Sequence, residues 1–328
     1  MGELYGTVQF LARRVGAFSE GRRDAVLGTP PTRADIVQGC CSGRGVSSMG
    51  SPTQLPFSPV TRIGMSSTST ALTIAGSDPS GGAGLQADLK TFQQLGVYGM
   101  SVVTLVTVQN TQGVLQVEVL SPELMSAQLQ CVLSDIPPLA IKTGALGNAL
   151  VVTELARQLE GYAGPLVVDP VIVSKHGHLL ASEDVIVAYK EQLLPKATVV
   201  TPNRFEVERI TGVELTDELS ILHALKELHR FCPGYVLMKF GDLDGQSLHI
   251  LSSPQWLDSQ QELRKISQPR LAAPNTHGTG CILSAAICAR FALGETEVEA
   301  AVRFGIDRTY EAILGNTALG QGIHPAET

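Results

Sequence analysis

The sequence predicts an α/β fold with a mainly parallel central sheet, helices on both faces and an antiparallel edge. Three observations predict it. From Ala71 onward, short apolar runs alternate with segments of helical spacing, as repeated βα units require. The chemically capable polar residues fall where the apolar runs end. Beyond Tyr235 the alternation gives way to a hairpin signal, Asp244-Gly245 between two strand-like runs.

Each element follows from its residues. Residues 71–76 form a short apolar strand that ends in a Gly-rich loop, Ser77-Asp78-Pro79-Ser80-Gly81-Gly82-Ala83-Gly84. Leu85, Leu89 and Phe92 recur at i, i+4 and i+7, which sets a helix closed by Gly96. Residues 101–108 are β-branched or apolar at nearly every position, so they read as a strand covered on both faces. Ser121-Pro122-Glu123 opens a helix with a capping Ser, a Pro at the first position and an acid in the first turn. A strand at 139–143, a helix at about 148–159 and a strand at 165–173 continue the alternation. Ser182-Glu183-Asp184 starts another helix, 197–202 is a strand, 217–231 an amphipathic helix and 235–240 the next strand. Residues 247–251 and 262–272 supply the antiparallel edge. Helices from Cys281 to about Leu293 and over 295–314 close the chain.

Composition bounds what this fold does. At 44% apolar and 17% charged residues, the 328-residue chain can bury a full-sized core, which excludes a disordered or disulfide-stapled protein. No apolar run approaches the roughly 18 residues of a membrane span. One Trp and 5% aromatics make a poor stacking platform for nucleic acid. Residues 1–70 hold seven Arg, no Lys and four acids, a net of +3, so the remainder carries −10. An acidic body argues against nucleic-acid partners and requires any phosphate site to be local. Six Cys without regular spacing indicate a reducing compartment, the cytoplasm.

Residues 1–70 are rich in Ser, Gly and Pro with little periodicity, which suits a disordered extension. A short helix around residues 8–17 fits Phe10, Leu11 and Val15, and the four acids count against a transit peptide. An assigned start upstream of the true one, with Met65 as the initiator, explains the same composition.

In an open α/β sheet, ligands sit at the carboxyl ends of the strands. Asp78 and the Gly loop, Gln109-Asn110, Lys142, Asp169, Asn203 with Glu206, Lys239, and the turn Gly278-Thr279-Gly280-Cys281 all fall there. The turn is the sharpest signal. Two glycines before a helix free successive N–H groups to converge on one anion, and the helix N-terminus adds partial positive charge. The same field lowers the pKa of Cys281 in the first helical turn; a Gly-rich helix start with a buried Cys is the plainer alternative. Asp88 lies one turn into the first helix, facing either a ligand or the helix dipole. Asn203 and Glu206, three apart, either hold a metal through water or act as a cap and a surface acid. The Gly loop does not match G-x-G-x-x-G, and no P-loop is present, so a nicotinamide oxidoreductase is disfavoured.

The segment from 71 to 90, with Gly76-Ser77-Asp78-Pro79-Ser80-Gly81-Gly82-Ala83-Gly84 and Gln86-Ala87-Asp88-Leu89-Lys90, carries a clear resemblance. So do Val108-Gln109-Asn110-Thr111, Val168-Asp169-Pro170-Val171, Leu194-Pro195 with Thr201-Pro202-Asn203, and Asn275-Thr276-His277-Gly278-Thr279-Gly280-Cys281. Together they resemble the hydroxymethylpyrimidine and phosphomethylpyrimidine kinases of thiamine biosynthesis, members of the ribokinase-like superfamily. The match runs in order from about 71 to 315 and touches none of residues 1–70, so 71–328 is read as a ribokinase-like kinase domain.

The resemblance implies that Asp88 hydrogen-bonds the pyrimidine, that Gly76 and Ala83 line its pocket, and that Gln109 bonds the ring edge. It implies an anion hole at Gly278, Thr279 and Gly280, with Cys281 as the base where many superfamily members have Asp. Asp169, Asn203 and Glu206 would organise Mg2+ and the ATP phosphates, and Lys239 would contact those phosphates. A homodimer is implied as well.

Two positions depart from the family pattern. Lys239-Phe240-Gly241-Asp242 stands where a Lys-Gly-Gly-His-like stretch is expected, and Ala145 where a Met often walls the pocket. The smaller Ala145 would admit a related ring such as pyridoxal. Residues 174–178 read as a loop over the nucleotide or a solvated loop, and His277 as a turn residue. The implied activity is ATP- and Mg2+-dependent phosphorylation of 4-amino-5-hydroxymethyl-2-methylpyrimidine and of its monophosphate. A pyridoxal or pyridoxine kinase is the alternative on the same fold, and a non-catalytic ligand-binding protein the remote one.

Overall fold

The computed structural model describes residues 68–172, 182–243, 245–258, 263–273, 275–315 and 318–328. The readings of residues 1–67 and of the 174–178 loop lie outside the described residues. In chain order the elements are β1 (Thr70–Ser77), α1 (Gly84–Gln94), β2 (Tyr98–Asn110), β3 (Gly113–Val119), α2 (Pro122–Asp135), β4 (Ala140–Thr143), α3 (Ala149–Gln158) and β5 (Leu166–Val168). There follow α4 (Glu183–Ala188), β6 (Val199–Val200), α5 (Arg204–Thr211), α6 (Glu218–His229), β7 (Tyr235–Leu243), β8 (Gln246–Ser252), α7 (Pro254–Asp258), β9 (Arg264–Pro269), α8 (Thr279–Ala292) and α9 (Val298–Leu314).

One nine-stranded sheet has the order β3-β2-β1-β4-β5-β6-β7-β8-β9. The six strands from β2 to β7 run parallel, while β3 at one end and β8 and β9 at the other pair antiparallel. The ribokinase-like expectation therefore holds, with antiparallel strands at both edges rather than one. Successive residues of each parallel strand enter opposite layers. Leu72, Ile74, Ile141, Val168, Val200 and Val236 pack with α2 to α6, whereas Ala71, Ala140, Val167, Val199 and Leu237 pack with α1, α8 and α9. Burial on both faces is why these strands read as continuous apolar runs.

The caps form as their residues dictate. Ser121 accepts from the Leu124 N–H, Asn148 from Val151, and Asp217 from Ser220, each satisfying an N–H that the first helical turn leaves unpaired.

Three expectations need correction. The far half of β2 is not covered on both faces: Val106 and Val108 are exposed, because β1 ends opposite Val106 and beyond it β2 pairs only with β3. Strands expected at 165–173 and 197–202 shrink to three and two residues, because the chain leaves the sheet at once to form the site. β3 was not anticipated. Gln116 and Glu118 interrupt its apolar residues, and its middle five residues are exposed, so burial imposes no alternation.

The order in which strands are added reverses about β1, with β2 on one side and β4 on the other. Such a topological switch leaves a crevice beyond the carboxyl ends of the strands.

Candidate active site

Four segments meet at that crevice. The first is the loop after β1. Asp78 is 3% exposed, and its carboxylate accepts from the Ser80 N–H and hydroxyl at 2.9 and 2.7 Å and from the Ala83 N–H at 2.9 Å. The His277 Nε2 lies 2.9 Å from the same carboxylate, joining this loop to the turn before α8. Burial pushes the Asp78 carboxyl up, but bonds from His277 and Ser80 outweigh it and hold it at about 2. Gly84 has φ +57°, and a Cβ there would overlap the Gly76 carbonyl oxygen. Gly76 is buried, and a Cβ on it would lie 2.5 Å from Leu105 and 3.7 Å from Ala145. Gly76 thus packs closely on Leu105 near Ala145, and Ala83 sits at the N-cap of α1.

Behind this loop lies a fully buried ion pair. The Lys142 ammonium, from β4, donates to both Asp88 oxygens at 2.8 and 2.7 Å, and the Thr73 hydroxyl donates to Asp88 at 2.6 Å. Both charged side chains are 0% exposed. Burial opposes the Lys142 charge, but Asp88, Cys281 and Asp169 hold the ammonium above the ordinary lysine range. Burial also pushes Asp88 up, against the pull of Lys142 and Thr73. Asp88, expected against the substrate ring, is instead the counterion of Lys142 in this structure. The sequence marked Lys142 only as a strand-end residue; 54 positions separate it from its partner.

The third segment is the turn itself. Gly278 has φ +81°, which an L side chain rarely adopts, and a Cβ there would overlap the Gly82 carbonyl oxygen. The turn therefore packs against the Gly loop, backbone to backbone. Gly280 faces the other way: a Cβ on it would lie 3.5 Å from the Lys239 Nζ and 3.7 Å from Asp169 Oδ2. Thr279 and Gly280 open α8, whose N-cap residue, Gly278, has no side chain to cap it. Cys281 follows, half-buried, and its sulfur receives the Gly84 N–H, the first residue of α1. The expected low thiol pKa is corrected here. Burial pushes the thiol up, Asp88 and Asp169 add to the rise, and Lys142 with the Gly84 N–H does not offset them. The result is about 11, a protonated thiol at neutral pH.

The fourth segment gathers charged groups that follow β5 and β6 and one within β7. Asp169 Oδ1 accepts from Lys239 at 2.9 Å and from the Thr201 hydroxyl at 3.0 Å. Phe240 does not disturb this pair. It packs into the larger core layer beneath the Arg204 guanidinium, 5.4 Å from its ring centre, and a bulge separates Lys239 from Gly241.

Asn203 and Glu206 form a capping box at α5. The Asn203 side chain accepts from the Glu206 N–H at 2.9 Å, and Glu206 accepts from the Asn203 N–H at 2.8 Å. The second Glu206 oxygen accepts from the Ile172 N–H at 3.2 Å. The cap reading is thus correct, but Glu206 is 2% exposed and no surface acid. Burial raises its carboxyl to about 7, against Lys239 and with Asp169.

Among the described residues, no cluster of three or more His, Cys, Asp or Glu side chains is placed to hold a metal. Two hard carboxylates beside a lysine suit Mg2+ all the same, since that ion keeps waters and binds through one or two carboxylates plus phosphate. Asp169 Oδ2 faces the Gly280 turn, so the donor set fits.

His277 is more than a turn residue. Its Nε2 reaches Asp78 and lies 3.3 Å from the Gln109 side-chain amide, while its backbone pairs with residues 324 and 326 of the C-terminal segment. Sequence spacing carried no signal for this, because its partners lie 199 and 168 positions away.

The family model for phosphomethylpyrimidine kinase matches residues 78–327. A hydroxymethylpyrimidine/phosphomethylpyrimidine kinase of Streptomyces coelicolor is 42% identical over 259 residues, 78% of this chain and 93% of that protein. The solved phosphomethylpyrimidine kinase of Clostridium difficile 630 superposes with a TM-score of 0.64 at 39% identity, covering 74% of this chain and 99% of its own. The ADP complex of Bacillus subtilis pyridoxal kinase superposes with a TM-score of 0.70 at 32% identity, covering 80% and 97%. Fold, turn and sequence agree: the chain belongs to the phosphomethylpyrimidine kinase family.

Proposed function

We propose that the chain transfers the terminal phosphoryl group of ATP to the hydroxymethyl oxygen of 4-amino-5-hydroxymethyl-2-methylpyrimidine, and then to the resulting monophosphate. The observation that carries this reading is the closeness of Gly280 to Lys239 and Asp169 at the strand ends. Phosphoryl transfer needs positioning and charge neutralisation more than covalent chemistry. N–H groups of Gly278, Thr279, Gly280 and Cys281 hold the transferring group. The Lys239 ammonium neutralises phosphate charge, exchanging Asp169 for the nucleotide. Asp169, with Glu206 through water, would hold Mg2+, which when bound neutralises the phosphate oxygens. Gln109 meets the ring, Gly76 and Ala83 leave it room, and the thiolate form of Cys281, the minor form at neutral pH, takes the hydroxyl proton as it leaves. The Asp88–Lys142 pair fixes α1, and with it the Gly84 N–H, against Cys281.

Relatives named as pyrimidine kinases reach 43% identity, against 32% for the pyridoxal kinase structures, which favours the pyrimidine. Incubation with ATP, Mg2+ and the pyrimidine tests the reading. A new phosphomonoester by phosphorus NMR supports it; ATP consumption without one ends it.

A second copy of the chain is the partner that suits the β2–β3 ribbon, where Val106, Val108, Val114, Leu115 and Val117 are exposed. A sedimentation mass near the single-chain 34.8 kDa would exclude the homodimer.

A further inference from the structure

We propose that His277 fixes the orientation of the Gln109 side-chain amide and so selects which heterocycle edge the site accepts. The inference rests on the reading above that Gln109 meets the ring. A carboxylate only accepts, so the His277 Nε2 that stands 2.9 Å from Asp78 Oδ2 carries the hydrogen. Asp78 stays ionised, since its carboxyl is held at about 2. The Gln109 amide lies 3.3 Å from the same ring nitrogen. The atom at that distance is Gln109 Nε2, and two N–H groups do not bond each other, so a half-turn that exchanges the amide nitrogen and oxygen brings the carbonyl oxygen to share with Asp78 the one Nε2 hydrogen.

Thr107 is compatible with the same half-turn. Its one hydroxyl hydrogen is within reach of the Ser77 carbonyl at 2.9 Å and of Gln109 Oε1 at 3.3 Å; given to the nearer Ser77, it leaves a lone pair towards Gln109. The Gln109 NH2 donates to it. With His277 and Thr107 satisfied in this sense, Gln109 keeps one N–H and one carbonyl lone pair for a ligand.

That remaining pair is complementary to a ring nitrogen beside an exocyclic amino group, the edge of an aminopyrimidine. Pyridoxal and pyridoxine lack that edge, because their ring nitrogen is flanked by a methyl-bearing carbon and a C–H. His277 is thus a positioning residue. Its backbone is pinned independently of the imidazole, with its N–H donating to the His324 carbonyl and its carbonyl accepting from Ala326, both at 3.0 Å. Removing the ring should leave the turn in place.

The test compares His277→Ala, His277→Gln and wild type, each alone and combined with Gln109→Leu, by steady-state kinetics. His277→Ala is expected to raise KM for the pyrimidine about tenfold, the size of one well-placed hydrogen bond to a charged network. KM for ATP and for pyridoxine should change less than about twofold, His277→Gln should recover most of the loss, and the effect should vanish in the Gln109→Leu background. Equal changes for pyrimidine and pyridoxine, or an undiminished effect without Gln109, would overturn the inference. If His277→Ala fails to fold, His277→Leu takes its place in the same comparison. A wild-type chain inactive on the pyrimidine defeats the functional reading. An active wild type matched by both variants defeats the His277 role alone.

Discussion

Gly278→Ala is expected to lower kcat by at least about 100-fold, the low end for losing one donor of an anion hole. The residue has φ +81°, and a Cβ would overlap the Gly82 carbonyl oxygen. The turn must therefore rotate or move off the Gly loop, and the N–H groups of Thr279, Gly280 and Cys281 then point away from the transferring group. Strain at such a position costs about 1–3 kcal/mol, so circular dichroism and thermal melting should show a folded but weakened chain. Lys239 and Asp169 lie on other strands, so ATP affinity should fall far less than kcat. Unchanged kcat in a folded variant would remove the turn from phosphoryl stabilisation.

Cys281→Ala should also lower kcat by at least about 100-fold, the low end for losing a general base. The expected pH dependence follows from its surroundings. With the thiol pushed up to about 11 by burial, Asp88 and Asp169, the thiolate fraction at neutral pH is small and grows with pH. The kcat of the wild type should therefore rise from pH 7 to 9 with a logarithmic slope approaching one, and Cys281→Ala should lose that rise. A wild-type plateau near pH 7, or near-normal kcat in the variant, would take Cys281 out of the proton transfer.

What could be read without coordinates was what neighbouring residues decide. Ser121, Asn148 and Asp217 each cap the helix that follows them, and Gly245 stands just before β8, which pairs antiparallel with β7. The glycine turn before α8 was legible because its glycines and its helix are contiguous, and the placement of Asp169 and Asn203 after β5 and β6 followed from the βα alternation, whereas Lys239 lies within a β7 longer than its apolar run. What escaped was set by distant pairing. Asp88 has ordinary spacing for a helix near its N-terminus, and only the position of β4 beside β1 brings Lys142 to it. The thiol of Cys281 was judged from its helix alone, which omits two carboxylates that other strands and helices bring near. Glu206 looked like a surface acid because its local sequence is polar, yet the Ile172 N–H from the neighbouring strand end encloses it. β3 was invisible because an exposed ribbon places little demand on residue type.

The central claim is that this site phosphorylates an aminopyrimidine in preference to the other hydroxymethyl heterocycle its fold accepts. Initial rates with ATP and Mg2+ on 4-amino-5-hydroxymethyl-2-methylpyrimidine and on pyridoxal, compared as kcat/KM, test it directly. The predicted result is a ratio of at least about tenfold in favour of the pyrimidine, one ring-edge hydrogen bond at 1.4 kcal/mol per decade. A ratio favouring pyridoxal would contradict it.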